Sequence, residues 1–278
     1  MHDEGATEAF RTVPAERARR RPTRRVAQNG ALPSRFDRAL RFAVCRPLAS
    51  ASRIVPLLFV ALLARDALAE SFLRPLSSSR TRVARLVAAG VPETPLRHAL
   101  AALDCARARG LVDGSTLTLI DYSRPSSVRR LWVIDPVRGR VRFHEFVAHG
   151  RNSGEVSPVR FSNEPGSLQS SLGLFRTAET YIGRHGYSLR LDGLEPGVND
   201  HARERAIVMH GAEYVTEKVA SHFGRVGRSW GCPAIDAAIH RELIDEIRGG
   251  TALFAYYPDA KWLRHSPYQA CERVTAAR

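Results

Sequence analysis

The stretch R-S-W-G-C-P-A-I-D, Arg228 to Asp236, sets one cysteine, Cys232, between a glycine and a proline, and V-M-H-G, Val208 to Gly211, lies just upstream. A thiol within reach of an imidazole is the pair that nucleophilic acyl chemistry needs: one attacks, the other takes its proton. Gly231 lets the backbone approach a substrate closely, and Pro233 fixes the exit from the turn. A helix expected to begin near Asp236 would bring its amide end close enough to help hold a thiolate. His210 is expected at the end of a central strand, with Gly211 leaving room around the ring. The other histidines suit a base less well. His201 falls in a polar turn, His222 after a helix, His240 on a helix beside Ile239, and His265 in a tail. His149, in a second strand-end His-Gly, is a candidate for the pocket wall. By itself a Gly-Cys-Pro cysteine is equally compatible with a small buried hydrophobe, half a disulfide or a metal ligand, and inert burial is the simplest of these readings.

Positioning such a pair requires strands, and the pattern supplies them. Leu86 to Arg109 reads as a helix with Leu96, Leu100 and Leu103 on its apolar face, Pro95 in a first turn and Gly110 as its stop. Then the period changes to that of short strands: Thr116 to Asp121, Arg130 to Asp135, and Val141 to His149. Pro136 to Gly139 reads as the turn of a hairpin. Gly150 to Gly173, rich in Ser, Gly, Asn and Pro, is expected to be an ordered loop lining a site. Tyr187 to Leu191 and Arg205 to Met209 are two more strands, joined by the turn-rich Asp192 to Asn199. Asp236 to Ile247 is a helix with Asp236 as its N-cap, and Thr251 to Tyr257 is a last strand. The expectation is a mainly β unit, a sandwich or barrel with peripheral helices.

The chain has 278 residues and a net charge of +14. Arg11 to Arg53 carries twelve arginines against Glu16 and Asp37, so a basic leader holds much of that excess; from residue 70 onward the balance is about +7. Such a charge suits loose attraction to an anionic polymer or envelope. Four widely spaced cysteines, Cys45, Cys105, Cys232 and Cys271, without any Cys-x-x-Cys, argue against a disulfide scaffold and a structural zinc site. Ile54 to Ala64 is an eleven-residue apolar run behind Arg53 and ahead of Ala67-Leu68-Ala69, the pattern of a secretory signal, and too short for a comfortable membrane span. Residues 1–69 are therefore read as a basic leader with a signal over 53–69, and 70–278 as one exported domain with its core over 96–265. On export Cys45 is lost, which leaves Cys105 and Cys271 free to pair and Cys232 as a thiol.

V-M-H-G-A followed by G-R-S-W-G-C-P, with His210 and Cys232 22 residues apart, resembles the signature of the L,D-transpeptidase catalytic domain. The likeness extends along L-T-L-I-D-Y-S (117–123), R-L-W-V-I-D (130–135), F-V-A-H-G-R-N-S-G (146–154), F-S-N (161–163), S-S-L-G-L-F-R-T-A-E-T-Y (170–181) and L-D-G-L-E-P-G-V-N-D (191–200). These stretches are similar to the murein L,D-transpeptidase branch with a Ser-Trp-Gly-Cys-Pro motif. The resemblance implies Cys232 as nucleophile, His210 as base with its ring oriented by the Gly211 carbonyl, Ser229 opening the turn, and the amides of Gly231 and Cys232 as oxyanion donors. Trp230 stands where the commoner motif has histidine, and Ala234 where it has an arginine suited to a substrate carboxylate. Arg225, Arg228 or Arg176 would then take that role, and His149, Asn163, Tyr181 and Trp230 are further candidates to touch substrate.

The implied reaction is acyl transfer on peptidoglycan stem peptides, with neither metal nor cofactor. Cys232 attacks the carbonyl of the L-centre of a tetrapeptide stem, D-alanine leaves, and the thioester passes to an amine of a second stem; water instead of the amine gives an L,D-carboxypeptidase. Two other classes compete, a catalytically silent wall-binding homologue and a nucleic-acid binder. No helix-turn-helix or aromatic-basic strand pattern supports the second, so no nucleic-acid partner is expected, nor a stable membrane span.

Overall fold

The computed structural model describes residues 80–269 and 271. The leader, the signal over 53–69 and Cys45 lie outside the described residues. The elements are α1 (80–88), α2 (Glu93–Ala108), β1 (Leu117–Asp121), β2 (Leu131–Asp135), β3 (Arg140–Glu145), β4 (Gly173–Gly183), β5 (Gly186–Gly193), β6 (Val208–Ala212), α3 (Glu217–Phe223), β7 (Ala234–Asp236), α4 (His240–Ile247), β8 (Ala252–Tyr256) and α5 (Ala260–His265). The strands form one mixed sheet in the order β3-β2-β1-β8-β4-β5-β6-β7, so the unit is mainly β with peripheral helices, as expected.

β1, β2 and β8 are buried along their whole length, which explains their continuous apolar runs (LTLID, LWVID, ALFAY). β2 and β3 form the expected hairpin. α2 covers this part of the sheet, burying Leu96, Ala99, Leu103 and Ala106 at spacings of three and four. Its Cys105 is joined to Cys271 by a disulfide, which ties the end of the described chain back to the helix.

The two edges of the sheet meet. The chain leaving β3 runs beside the segment that leads into β7: Ala148 N–H donates to Ala234 O at 2.8 Å, Ser229 N–H to His149 O at 3.0 Å, and Arg151 N–H to Ser229 O at 2.8 Å. Gly150 and Ser229 form a parallel bridge. Phe146, Ala148, Ala212, Val215, Ala220, Val226 and Ala234 pack into a small second core along this seam.

Several boundaries differ from the sequence-based reading. The helix expected over 86–109 is two helices, because Gly90 takes φ +89° and accepts no helical continuation, while Val91 N–H closes back on Leu86 O. The third strand stops at Glu145, and 146–149 belongs to the seam instead. β4 was not anticipated as a strand: only its first half is buried, so it carries no long apolar alternation. β6 starts at Val208 rather than Arg205 because Ala206 adopts φ +54°, and it lies next to the edge strand, whereas β8 is central. Asp236 ends β7 and caps a turn by accepting Ala238 N–H at 2.8 Å; α4 starts only at His240.

Glu195 and Asn199 shape the loop between β5 and β6. Glu195, fully buried, accepts Leu174 N–H at 2.8 Å and Trp262 Nε1–H at 2.9 Å, and Asn199 Nδ2 donates to Leu172 O and Leu174 O. Burial pushes the Glu195 carboxyl above its usual range, opposed by these donors. Glu195→Ala leaves two buried donors unpaired, at about 1–3 kcal/mol each. Chemical denaturation should show a loss of that size with little change in m-value.

Candidate active site

His210 stands on β6, and Cys232 sits in the turn that leads into the neighbouring strand β7. In the parallel β6–β7 pair His210 is in register with Ala234, so Cys232, two residues earlier, comes level with Val208. The turn that presents it is closed by Ser229, whose Oγ donates to Cys232 O at 2.6 Å and accepts Gly231 N–H at 3.1 Å. Glycine at 231 is required on two counts. Its φ is +128°, and a Cβ there would lie 2.8 Å from Gln169 O and 3.0 Å from Ile207 Cδ1. Because the Gly231 amide is already donated to Ser229, of the two expected oxyanion donors only the Cys232 amide has no partner in another of the described residues.

His210 is buried in the middle of β6, not at a strand end, facing Ser188 across β5. Its Nδ1 lies 2.9 Å from Gly211 O. A carbonyl only accepts, so Nδ1 carries the proton and Nε2 keeps a lone pair. Burial is the main cause that lowers the His210 pKa; the Gly211 carbonyl opposes it, and His185 and His240 add repulsion. Gly211 is needed for a different reason from the one expected: a Cβ there would meet His240 Cγ at 2.7 Å, on the side away from the His210 ring.

The half-buried Cys232 is the sole free thiol among the described residues. Its Sγ receives Val208 N–H at 3.5 Å and its own S–H points to Ala206 O at 3.7 Å. Burial raises the thiol pKa, while the Val208 amide, the Arg205 guanidinium and its own amide oppose that rise. No helix end contributes, since a strand and a turn intervene before α4. The sulfur is not hydrogen-bonded to His210 in this conformation.

Arg205 was not singled out from the sequence, where it sits in no motif. Its Nη1 donates to Ser162 O and Ser171 Oγ, both at 2.6 Å, and its Nη2 to Gln169 O at 2.6 Å and Ser167 Oγ at 3.2 Å. It therefore clasps the 162–171 loop against the cysteine turn without a carboxylate partner. Beneath the turn, Ser170 Oγ donates to Gly231 O at 3.1 Å and accepts Gly150 N–H at 3.0 Å. The loop over 150–173 is thus ordered against the site, as anticipated.

The remaining candidates separate into two groups. Trp230 is 67% exposed beside Cys232. Arg228 bonds Glu155 at 2.7 Å, and Arg225 reaches the same carboxylate at 3.8 Å, so two guanidiniums beside the turn share one counter-charge. Tyr181 lies in register with Ser188, hence on the His210 side of the sheet, beneath the Arg190 guanidinium at 4.4 Å.

His149, Asn163 and Arg176 do not join them. His149 is fully buried; Arg130 Nη2 donates to its Nδ1 at 2.8 Å, and its Nε2–H goes to Gly154 O at 3.1 Å. Burial and the Arg130 charge drop its pKa to about 4, which leaves a neutral strut rather than a pocket wall. Asn163 is spent on Asp200 and His201. Arg176 pairs with Asp113 at the opposite end of β1 and β8 from Tyr122, which lies on the Cys232 side.

Arg205→Gln removes the one guanidinium whose charge lowers the Cys232 pKa, so the midpoint for alkylation of Cys232 should rise by about one pH unit. Iodoacetamide labelling followed by peptide mass spectrometry separates Cys232 from Cys45 and checks this.

The family model of the L,D-transpeptidase catalytic domain matches residues 88–256. Among solved structures, the chain is similar to an L,D-transpeptidase from Mycobacterium smegmatis, with 12% identity, 51% of this chain and 59% of that chain covered, and a TM-score of 0.32. For an L,D-transpeptidase from Xylanimonas cellulosilytica the figures are 17%, 55%, 68% and 0.30. For the helical cell shape determining protein Pgp2 from Campylobacter jejuni they are 12%, 51%, 47% and 0.34. The chain thus spans less than two thirds of the length of the first of these. A search of curated proteins finds no match. With the family model covering more than half of its length, the chain belongs to the L,D-transpeptidase catalytic domain family.

Proposed function

We propose that this protein is an exported peptidoglycan L,D-transpeptidase that works through a thioester on Cys232. The observation that carries this reading is a free thiol, in the turn that enters β7, beside the adjacent strand β6 with its imidazole whose Nδ1–H is committed to the Gly211 carbonyl. That commitment leaves Nε2 to accept a proton. A turn about the Cα–Cβ bond of Cys232 carries the sulfur from Ala206 O toward His210. His210 takes the thiol proton and the thiolate attacks the carbonyl of the stem's L-centre. The tetrahedral oxyanion meets the Cys232 amide, and collapse returns the proton to the departing D-alanine amine. The thioester then passes to a side-chain amine of a second stem, with His210 accepting a proton from that amine.

The charge around the turn fits such a substrate. Arg225 and Arg228 share Glu155 and keep net positive charge where the stem's carboxylates would lie, which replaces the arginine that Ala234 lacks. Trp230 and Tyr181 offer apolar surface on either side. Export is supported by the Cys105–Cys271 disulfide, since such bonds persist in oxidising compartments. No helix among the described residues is long and apolar enough to cross a membrane. We assign residues 70–278 to one catalytic domain.

The test is incubation of the purified chain with a disaccharide-tetrapeptide while intact-protein and product masses are followed. A thioester at Cys232 that resolves into dimeric muropeptide supports the transpeptidase, and release of tripeptide alone makes the enzyme an L,D-carboxypeptidase. Cys232→Ala should abolish both products. Turnover that survives this substitution, or no adduct in the unaltered chain, overturns the reading.

A further inference from the structure

We propose that His185 is a positioning residue for His210: from the tip of the β4–β5 hairpin its ring lies on the His210 ring and holds it facing the sulfur of Cys232. This rests on the reading of His210 as the base. The two rings stack at 4.3 Å between centroids and 21° between planes. The placement is built into the sheet. Gly183 and Gly186 pair to close the hairpin around Arg184 and His185, and two residues further on Ser188 faces His210 directly. The hairpin tip is therefore pinned to the strand that carries the base.

A histidine anchored through Nδ1 alone is free to swing about that contact, and a ring laid on its face removes the freedom. The same ring takes away solvent: His210 is 3% exposed although His185 itself is exposed. Burial is what most disfavours the imidazolium form of His210, and like charge on His185 disfavours it further. The groups facing His210 from the surrounding elements are few. They are His185 from the hairpin, His240 at the start of α4 and, on the same side of the sheet, Tyr181 beneath Arg190; Cys232, in the turn before β7, bonds Val208 two residues back along β6. Among the described residues no carboxylate forms an ion pair with His210. The acid limit of the base thus depends in part on the cover that His185 provides.

The experiment compares the full chain with its His185→Ala and His185→Phe variants, following the His210 ring by NMR through a pH titration. Because His185 is exposed at a hairpin tip, both variants should melt as the unaltered protein does. His185→Ala should raise the His210 midpoint by about half a pH unit or more. The acid limb of Cys232 alkylation should move with it. His185→Phe, which restores a ring without a charge, should recover more than half of the shift. An unmoved midpoint in His185→Ala, or a Phe variant no better than Ala, overturns the proposal. His210→Ala separates this from the catalytic reading. If Cys232 alkylation keeps its pH profile in that variant, His210 is not the base, whatever the ring titration says about His185.

Discussion

The seam where the two edges of the sheet meet is the constraint on which the site depends. Ala148, His149 and Arg151 exchange main-chain hydrogen bonds with Ser229 and Ala234, and those bonds fix the start and the end of the turn that presents Cys232. An open edge would leave this turn held only by Ser229, by Ser170 Oγ on the Gly231 carbonyl and by the pairing of β7 with β6. With the seam closed, its ends are tied to β3's extension on one side and to β6 on the other. The apolar packing of Phe146, Ala148, Val215 and Val226 keeps water from competing for those bonds.

Two arginines that form no ion pair with a carboxylate among the described residues, one buried and one half-buried, hold the layer behind the seam. Arg130, fully buried, spends its guanidinium on the carbonyls of Val147 and Arg124 and on His149, and burial lowers its pKa only to about 10, so it stays charged. Arg205 does the same for the loop over 162–171. Guanidinium suits this task because it offers five donors in a fixed plane and keeps its charge when desolvated. The consequence reaches the thiol. Arg205 counteracts part of the desolvation that would otherwise hold Cys232 protonated, so the residue that fastens the loop also tunes the thiol.

Some of the candidate site is legible in the chain as a string. Cys232, His210, Gly211 and Ser229 stand out in the sequence because thiol chemistry comes with a local spelling. Trp230, Arg225 and Arg228 lie within a few residues of that spelling and stay near it in space. Arg205 and His185 were not legible, since each acts on a partner 25 to 27 residues away through a fold no local pattern encodes. His149 misled for the converse reason. Its His-Gly looks like that of His210, yet the seam buries it against Arg130.

Strand identity was legible wherever a strand is buried on both faces, as in β1, β2 and β8, because a short apolar run rich in β-branched and aromatic residues and bounded by turn residues is too short for a helix. β4, half in and half out of the core, was hidden because its residues answer to two environments. Local sequence also settled the residue types needed for thiol chemistry and the glycine that permits φ +128° at 231. The sheet order, the seam, the rotamer that turns Cys232 toward Ala206, and the ring laid on His210 were decided by tertiary structure alone. Each is a contact between segments distant in sequence, whose free energy exists only once the whole sheet has closed.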